Sequence, residues 1–220
     1  MKISPIRFLL VVLLLSRLPV AAQMRQIYND PDSTNSIEKI SFYSPNEGYV
    51  AFDNWIGYTT DSGHTFQKKY IQLGNVNYGP YTDINVTFGY EINGVKAFDR
   101  NNLIVYGDYG LVPAILSSAD GGNSFTLVYY SQFNPLELRT GITDVSFPNN
   151  DNIGYAVDAD RILKSTDKGL TWTVLTSSFA ASYFNHIEAV DDNNLIVLNT
   201  DVLDYVLNGT SRILRTTDGG

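Results

Sequence analysis

The 220-residue chain carries 15 Lys+Arg against 23 Asp+Glu, has no cysteine, and is 44% hydrophobic and 13% aromatic. That apolar content is too high for a disordered chain, and the net charge of −8 argues against a nucleic-acid or anionic-membrane binder. Without cysteine, disulfide scaffolds, Cys-ligated zinc, thiol nucleophiles and a lipid-modified N-terminal cysteine are all excluded.

Lys2 and Arg7 precede an apolar run from Phe8 to Leu15, and Pro19, Val20, Ala21 and Ala22 follow as the small residues of a cleavage site. This is the layout of a secretory signal peptide over residues 1–22. A membrane anchor is the alternative, but a span needs about 20 predominantly apolar residues, and Arg17 interrupts the run too early. Removal takes Lys2, Arg7 and Arg17 along, leaving 12 basic against 23 acidic side chains and a net charge of −11. The expectation is an exported protein of the cell envelope or extracellular space, without stable membrane insertion. Residues 23–36 read as a solvated N-terminal segment. Asp30 and Asp32 with Glu38 loosely suggest a calcium loop, but Pro31 intrudes and no glycine supplies the bend.

From residue 37 onward one motif recurs. Thr59-Thr60-Asp61-Ser62-Gly63-His64-Thr65-Phe66 is followed by Ser118-Ala119-Asp120-Gly121-Gly122-Asn123-Ser124-Phe125 and by Ser165-Thr166-Asp167-Lys168-Gly169-Leu170-Thr171-Trp172. A fourth copy starts at Thr216-Thr217-Asp218-Gly219-Gly220 and is cut off by the end of the chain. The aspartates stand 59, 47 and 51 residues apart. Upstream of each copy lies a polar turn, at residues 45–48, 99–102, 149–152 and 191–194, with a short β-type run on either side. A third run leads into the motif and a fourth leaves it, and no helical period follows the signal. Four short strands per roughly 50 residues read as the blades of a β-propeller. The expected fold is therefore all-β, with blades near 37–74, 92–138 and 140–178 and an incomplete one at 185–220. Further repeats are expected beyond Gly220, with a sorting or anchoring module as one ending, because propeller rings of four blades are at the low extreme.

In a tight hairpin the aspartate and the Ser/Thr hydroxyls can accept from the turn's own N–H groups, while glycine supplies a positive φ. Asp61, Gly63, Phe66, Asp120, Gly122, Phe125, Asp167, Gly169, Trp172, Asp218 and Gly220 are therefore structural candidates rather than catalytic ones. The octapeptide resembles the Asp-box, or BNR repeat, and the unit around it is similar to the Ycf48-like and sortilin/Vps10-type repeats, over residues 37–220. The resemblance implies a propeller with boxes on rim hairpins. It leaves function open, since Asp-boxes occur in sialidases, xyloglucan-degrading hydrolases, assembly factors and receptors.

No catalytic constellation stands out. Asp158, Asp160, Asp191 and Asp192 fall in turns, His64 at a hairpin tip and His186 in a strand, with no third metal ligand in view. A sialidase-like site would need an arginine cluster, yet Arg161 and Arg212 occupy equivalent repeat positions; a hydrolase would need a carboxylate pair that nothing singles out. No cofactor or metal is expected. The expectation is a non-enzymatic binding or scaffold module for a protein or carbohydrate ligand, with part of a glycoside hydrolase as the alternative and an assembly factor for a membrane complex following only from the Ycf48-like resemblance. A ligand surface is expected at Tyr78 and Tyr81, in the stretch between the first two units, and at Tyr106 and Tyr109; packing between blades is the alternative for these tyrosines.

Overall fold

The computed structural model describes residues 24–31, 35–81, 90–110, 112–131, 141–148, 152–158, 161–176, 182–201 and 211–220. The signal-peptide reading, Asp32 and Asp160 lie outside them. Four sheets follow one another along the chain. The first contains β1 (Ile37–Phe42), β2 (Gly48–Phe52), β3 (Trp55–Thr59) and β4 (Gln67–Tyr70), hydrogen-bonded in that order. After β5 (Val76–Asn77) come β6 (Tyr90–Ala97), β7 (Leu103–Tyr109), β8 (Pro113–Ser118) and β9 (Phe125–Tyr130) in a second sheet. The third holds β10 (Ile142–Ser146), β11 (Gly154–Asp158), β12 (Arg161–Ser165) and β13 (Thr173–Thr176). The fourth holds β14 (Ser182–Ala189), β15 (Leu195–Asp201) and β16 (Ser211–Thr216). Apart from β5, every pairing is an antiparallel meander between consecutive strands.

The middle strands lack the alternating apolar pattern of a half-exposed sheet for a physical reason. β2, β3, β7, β8 and β11 are buried at every residue, so both of their faces need apolar side chains. The core is accordingly divided into layers between neighbouring sheets. One layer joins Tyr49, Ala51 and Ile56 to Val95, Val105 and Leu116; the next joins Ile104, Tyr106 and Ile115 to Val145, Ala156 and Leu163; a third joins Tyr155 and Val157 to Ile187 and Val197. Each blade thus depends on its neighbours for its core, as in other stacked-repeat proteins.

Two local features differ from a plain four-strand repeat. The chain leaving β4 forms a short 3-10 turn (Leu73–Asn75) and then lays β5 parallel to β9, Val76 opposite Phe125, which turns the second blade into a five-stranded sheet and covers its outer edge. The N-terminal segment is also partly packed. Tyr28 stands edge-on to Phe66 at 4.8 Å and to Phe52 at 6.3 Å, on the face of the first blade that no preceding sheet covers.

Candidate functional site

Each blade's box closes in the same way. In the first, Asp61 Oδ1 accepts from His64 N (3.0 Å) and Thr65 N (2.9 Å), Oδ2 accepts from the Thr65 hydroxyl (2.7 Å), and the Thr59 hydroxyl donates to Oδ1 (2.8 Å) while accepting from Gly63 N (3.0 Å). Asp120 with Ser118 and Ser124, and Asp167 with Ser165 and Thr171, repeat this set, and Asp218 accepts from Thr216 and Gly220. Gly63, Gly122, Gly169 and Gly220 all have positive φ, where a side chain is strained. Phe66 packs on Phe52 and Tyr28, Phe125 joins the layer between the first two blades, and Trp172 packs on Phe147 and donates Nε1–H to Gly169 O. The residue before each of those glycines donates its N–H to the first interstrand turn of the same blade: Ser62 to Asn46, Gly121 to Asn101, Lys168 to Asn152 and Gly219 to Asn193. Boxes and first turns therefore share one rim. Asp99 and Asp191 cap their turns through the two following asparagines, and every carboxylate on this rim that belongs to a box or such a cap is engaged by its own loop.

The other end of the blades is built differently. β1, β6, β10 and β14 are the first strands of their sheets, and they pack against one another, which puts them innermost. All four carry a β-bulge at the same place, at Glu38, Asn93, Thr143 and Asn185. A bulge re-aims a side chain out of the ladder, and here all four residues line one cavity of about 390 Å³, together with Lys39, Asp144 and His186. Because each bulge falls in the first half of its strand, and the first strand of each sheet runs toward the box rim, this cavity lies toward the end away from the boxes.

The position following each bulge is Lys39, Gly94, Asp144 and His186 in the four blades. Asp144 is 3% exposed, and its oxygens accept from Lys39 Nζ (2.8 Å), His186 Nδ1 (2.5 Å) and Ile187 N (3.1 Å). The Tyr106 hydroxyl also bonds to Asp144; burial first, then the carboxylate charge, pushes the phenol above its ordinary range. Gly94 makes this reach possible, since a Cβ there would stand 2.3 Å from the Tyr106 oxygen. One buried carboxylate on the third blade thus ties together the first blade (Lys39), the fourth (His186 and Ile187) and a tyrosine of the second (Tyr106). Above it, Glu38 is raised from the ordinary glutamate range by desolvation, then by a hydrogen bond with Asp53 and the charges of Asp53 and Glu91. Asn93 donates to Ile142 O (3.0 Å), the Thr143 hydroxyl to Phe184 O (2.9 Å) and Asn185 to the Thr200 hydroxyl (2.7 Å), each leaving hydrogen-bonding capacity toward the cavity.

The sequence-predicted tyrosines lie elsewhere. Tyr106 is 1% exposed beneath the axial cavity, and Tyr109 is 5% exposed. Tyr78 is half-buried with its hydroxyl 2.9 Å from that of Tyr109, and Tyr81 packs edge-on to Tyr130 at 5.9 Å. Tyr109 and its partners form a packed cluster on the second blade. His64 sits on a hairpin with Nδ1 2.6 Å from Asp61 O, whereas His186 does meet charged partners, Asp144 directly and Lys39 through it. Lys39, Asp144, Asn93, Thr143 and Asn185 were not singled out by sequence reasoning, and Glu38 was weighed only as part of a calcium loop with Asp30 and Asp32. The signal available was their common phase within the repeat. Among the described residues no group of three or more His, Cys, Asp or Glu could hold a metal, and no helix is long and apolar enough to cross a membrane.

Stacked, mostly antiparallel sheets of three to five strands, with their first strands innermost and polar side chains converging between them, define a β-propeller segment. Solved structures agree on that fold. The chain is similar to a GH74 enzyme of Niastella koreensis (TM-score 0.55, 18% identity, 81% of this chain and 28% of that one) and to the GH74 xyloglucanase of Xanthomonas campestris (TM-score 0.52, 10% identity, 82% and 29%). It also matches Ycf48 of Cyanidioschyzon merolae over 87% of this chain and 72% of that one, at 15% identity and a TM-score of 0.43. The chain spans less than a third of the length of these GH74 enzymes. No family model matches it, and no curated protein matches it either.

Proposed function

We propose that this chain is a non-enzymatic, exported binding module that takes a polar protein or glycan group into the cavity at the inner ends of its blades. The observation that carries the reading is the placement of the four bulges, which aim Glu38, Asn93, Thr143 and Asn185 into one polar cavity. Bulges are over-represented beside active sites, where they re-aim a side chain. Amides and hydroxyls that both donate and accept suit sugar hydroxyls or peptide groups. Asp144 supports binding over chemistry, because Lys39, His186, Tyr106 and Ile187 already occupy its oxygens.

A glycoside hydrolase is the second reading. It is favoured by one observation: Glu38, whose carboxyl is raised above the ordinary glutamate range by desolvation and by Asp53, lines the same cavity as Asp144. Xyloglucan oligosaccharides serve as the probe for both. The binding reading expects saturable binding that Asn93→Ala or Asn185→Ala weakens, with no new reducing ends released. Hydrolysis abolished by Glu38→Gln would decide for the second reading, and unaltered binding in the Asn93→Ala/Asn185→Ala variant would show that the ligand does not bind in the cavity.

A further inference from the structure

On the box rim, neighbouring blades leave crevices between them, and the repeat allows three equivalent ones to be compared within one chain. Between the third and fourth blades Lys164 reaches across, donating to Gly219 O at 3.4 Å and lying 5.2 Å from the Tyr155 ring. Between the second and third the walls are largely apolar, with Phe98, Leu103, Ile104 and Leu170 among them. Between the first and second blades the crevice is open and polar, about 360 Å³, and among its lining residues are Tyr58, Gln67, Lys69, Arg100, Asn101 and Asn123.

Two cations face this crevice in a chain of net charge −8. The Arg100 guanidinium is exposed and lies 5.6 Å from the Tyr58 ring, and no ion pair between described residues includes it. Its turn is anchored from below by the Tyr49 hydroxyl, which donates to Arg100 O at 2.6 Å. Lys69 Nζ donates to Asn123 Oδ1 at 2.7 Å, leaving two N–H bonds for a ligand. Asp120 also lines the crevice, but both its oxygens accept within its own box, and the nearby Asp99 is held by Asn101 and Asn102. The main-chain donors are also engaged, Gly121 N on Asn101 O and Gly122 N on the Ser118 hydroxyl. A ligand therefore meets two cationic side chains, the amides of Gln67 and Asn101, and one carboxylate, Asp120, whose oxygens are engaged in its box. That set fits an anion carrying vicinal hydroxyls: the two cations suit a carboxylate, and the amides, which both donate and accept, suit hydroxyls beside it.

We propose that this crevice binds a hexuronate unit of an acidic polysaccharide, with the sugar carboxylate between Arg100 and Lys69 and its hydroxyls on Gln67 and Asn101. The site is separate from the cavity at the opposite end of the blades and does not depend on what that cavity binds. Titration calorimetry of the whole chain with trigalacturonate tests it. Saturable binding is expected, weakened by at least about tenfold in Arg100→Gln or Lys69→Gln, weakened by added salt, and unchanged in the Asn93→Ala/Asn185→Ala variant. Xylotriose, which lacks the carboxylate, should not compete. Both cations are on the surface, so coincident thermal melts with wild type establish that a loss is local; Gln67→Ala, which leaves the charge in place, should weaken binding less. The proposal is overturned if trigalacturonate does not bind, if xylotriose binds equally, if the Arg100→Gln/Lys69→Gln variant binds as wild type does, or if an acidic peptide binds more tightly with the same dependence on Arg100.

Discussion

At the scale of single residues, the box aspartates illustrate how a side chain can act as part of the backbone. Asp167 accepts from Thr171 N, from the Thr171 hydroxyl and from the Ser165 hydroxyl, and nothing else among the described residues can take those places. Asp167→Ala should lower stability by about 1–3 kcal/mol, the usual cost of stranding such donors, while leaving ligand affinity of the folded protein unchanged; a urea curve superimposable on wild type would refute it. The adjacent position offers a control within the molecule. It has positive φ in all four blades, filled by Gly121 and Gly219 in two and by Ser62 (61°) and Lys168 (63°) in the others. Lys168→Gly relieves left-handed strain while keeping the N–H bond to Asn152 O, and should raise stability by roughly 0.5–1 kcal/mol. The same substitution at Lys164, in a strand, should lower it.

At the scale of the element, the rim hairpins and the inner-strand bulges titrate in opposite directions. Hydrogen bonds from Thr65, Thr59 and His64 N hold Asp61 down to about 2, against an ordinary 3.8. Partial burial pushes Asp120 and Asp167 up, but the bonds from their Ser and Thr partners outweigh it and lower both, and the bond from Thr216 lowers Asp218. A folded-state value below the unfolded one gives stability that is complete above the ordinary aspartate range and is lost as pH falls through the folded value. Glu38 runs the other way: its raised value means a contribution present below the ordinary 4.5 and lost as pH rises through the folded value. Urea midpoints measured from pH 2 to pH 7 should fall on the acid side. Asp61→Asn should flatten that acid limb, and Glu38→Gln should remove a decline above the ordinary glutamate range. An unchanged pH profile in both variants would argue against the assignment.

At the scale of the whole molecule, the interblade layer repeats three times and then stops. Positions buried in the first three blades (Tyr49, Ala51 and Ile56; Ile104, Tyr106 and Ile115; Tyr155, Val157 and Ile162) correspond by register to Ile196, Leu198 and Ile213 in the fourth. Those are 37%, 41% and 74% exposed, against 8% or less for the others. An apolar sheet face of this kind favours association. The 220-residue chain should therefore self-associate with rising concentration, and Leu198→Glu/Ile213→Lys should suppress it; sedimentation velocity of the two proteins over a hundredfold range of concentration reads the difference. A monomer throughout would show that this face is tolerated in water.

What the sequence determined by itself is the local part of the design. The period, the all-β class, the strand runs and the turn chemistry are legible because each depends on residues a few positions apart: Asp61 bonds to Thr59, His64 and Thr65, all within four residues. Burial of the middle strands is legible for the same reason, as runs such as residues 103–106. The axial site was not. Lys39 and Asp144 are 105 residues apart and meet only because successive sheets stack with their bulges in one phase. A bulge is one unpaired residue with no composition of its own, so Glu38, Asn93, Thr143 and Asn185 look unrelated in the sequence. Likewise Tyr106 and Tyr109 are indistinguishable by type from exposed tyrosines, and it is the sheet on the other side that buries them. Which side chains share an axis, and which are walled in, was decided by packing between blades, a long-range property that short-range sequence patterns do not encode.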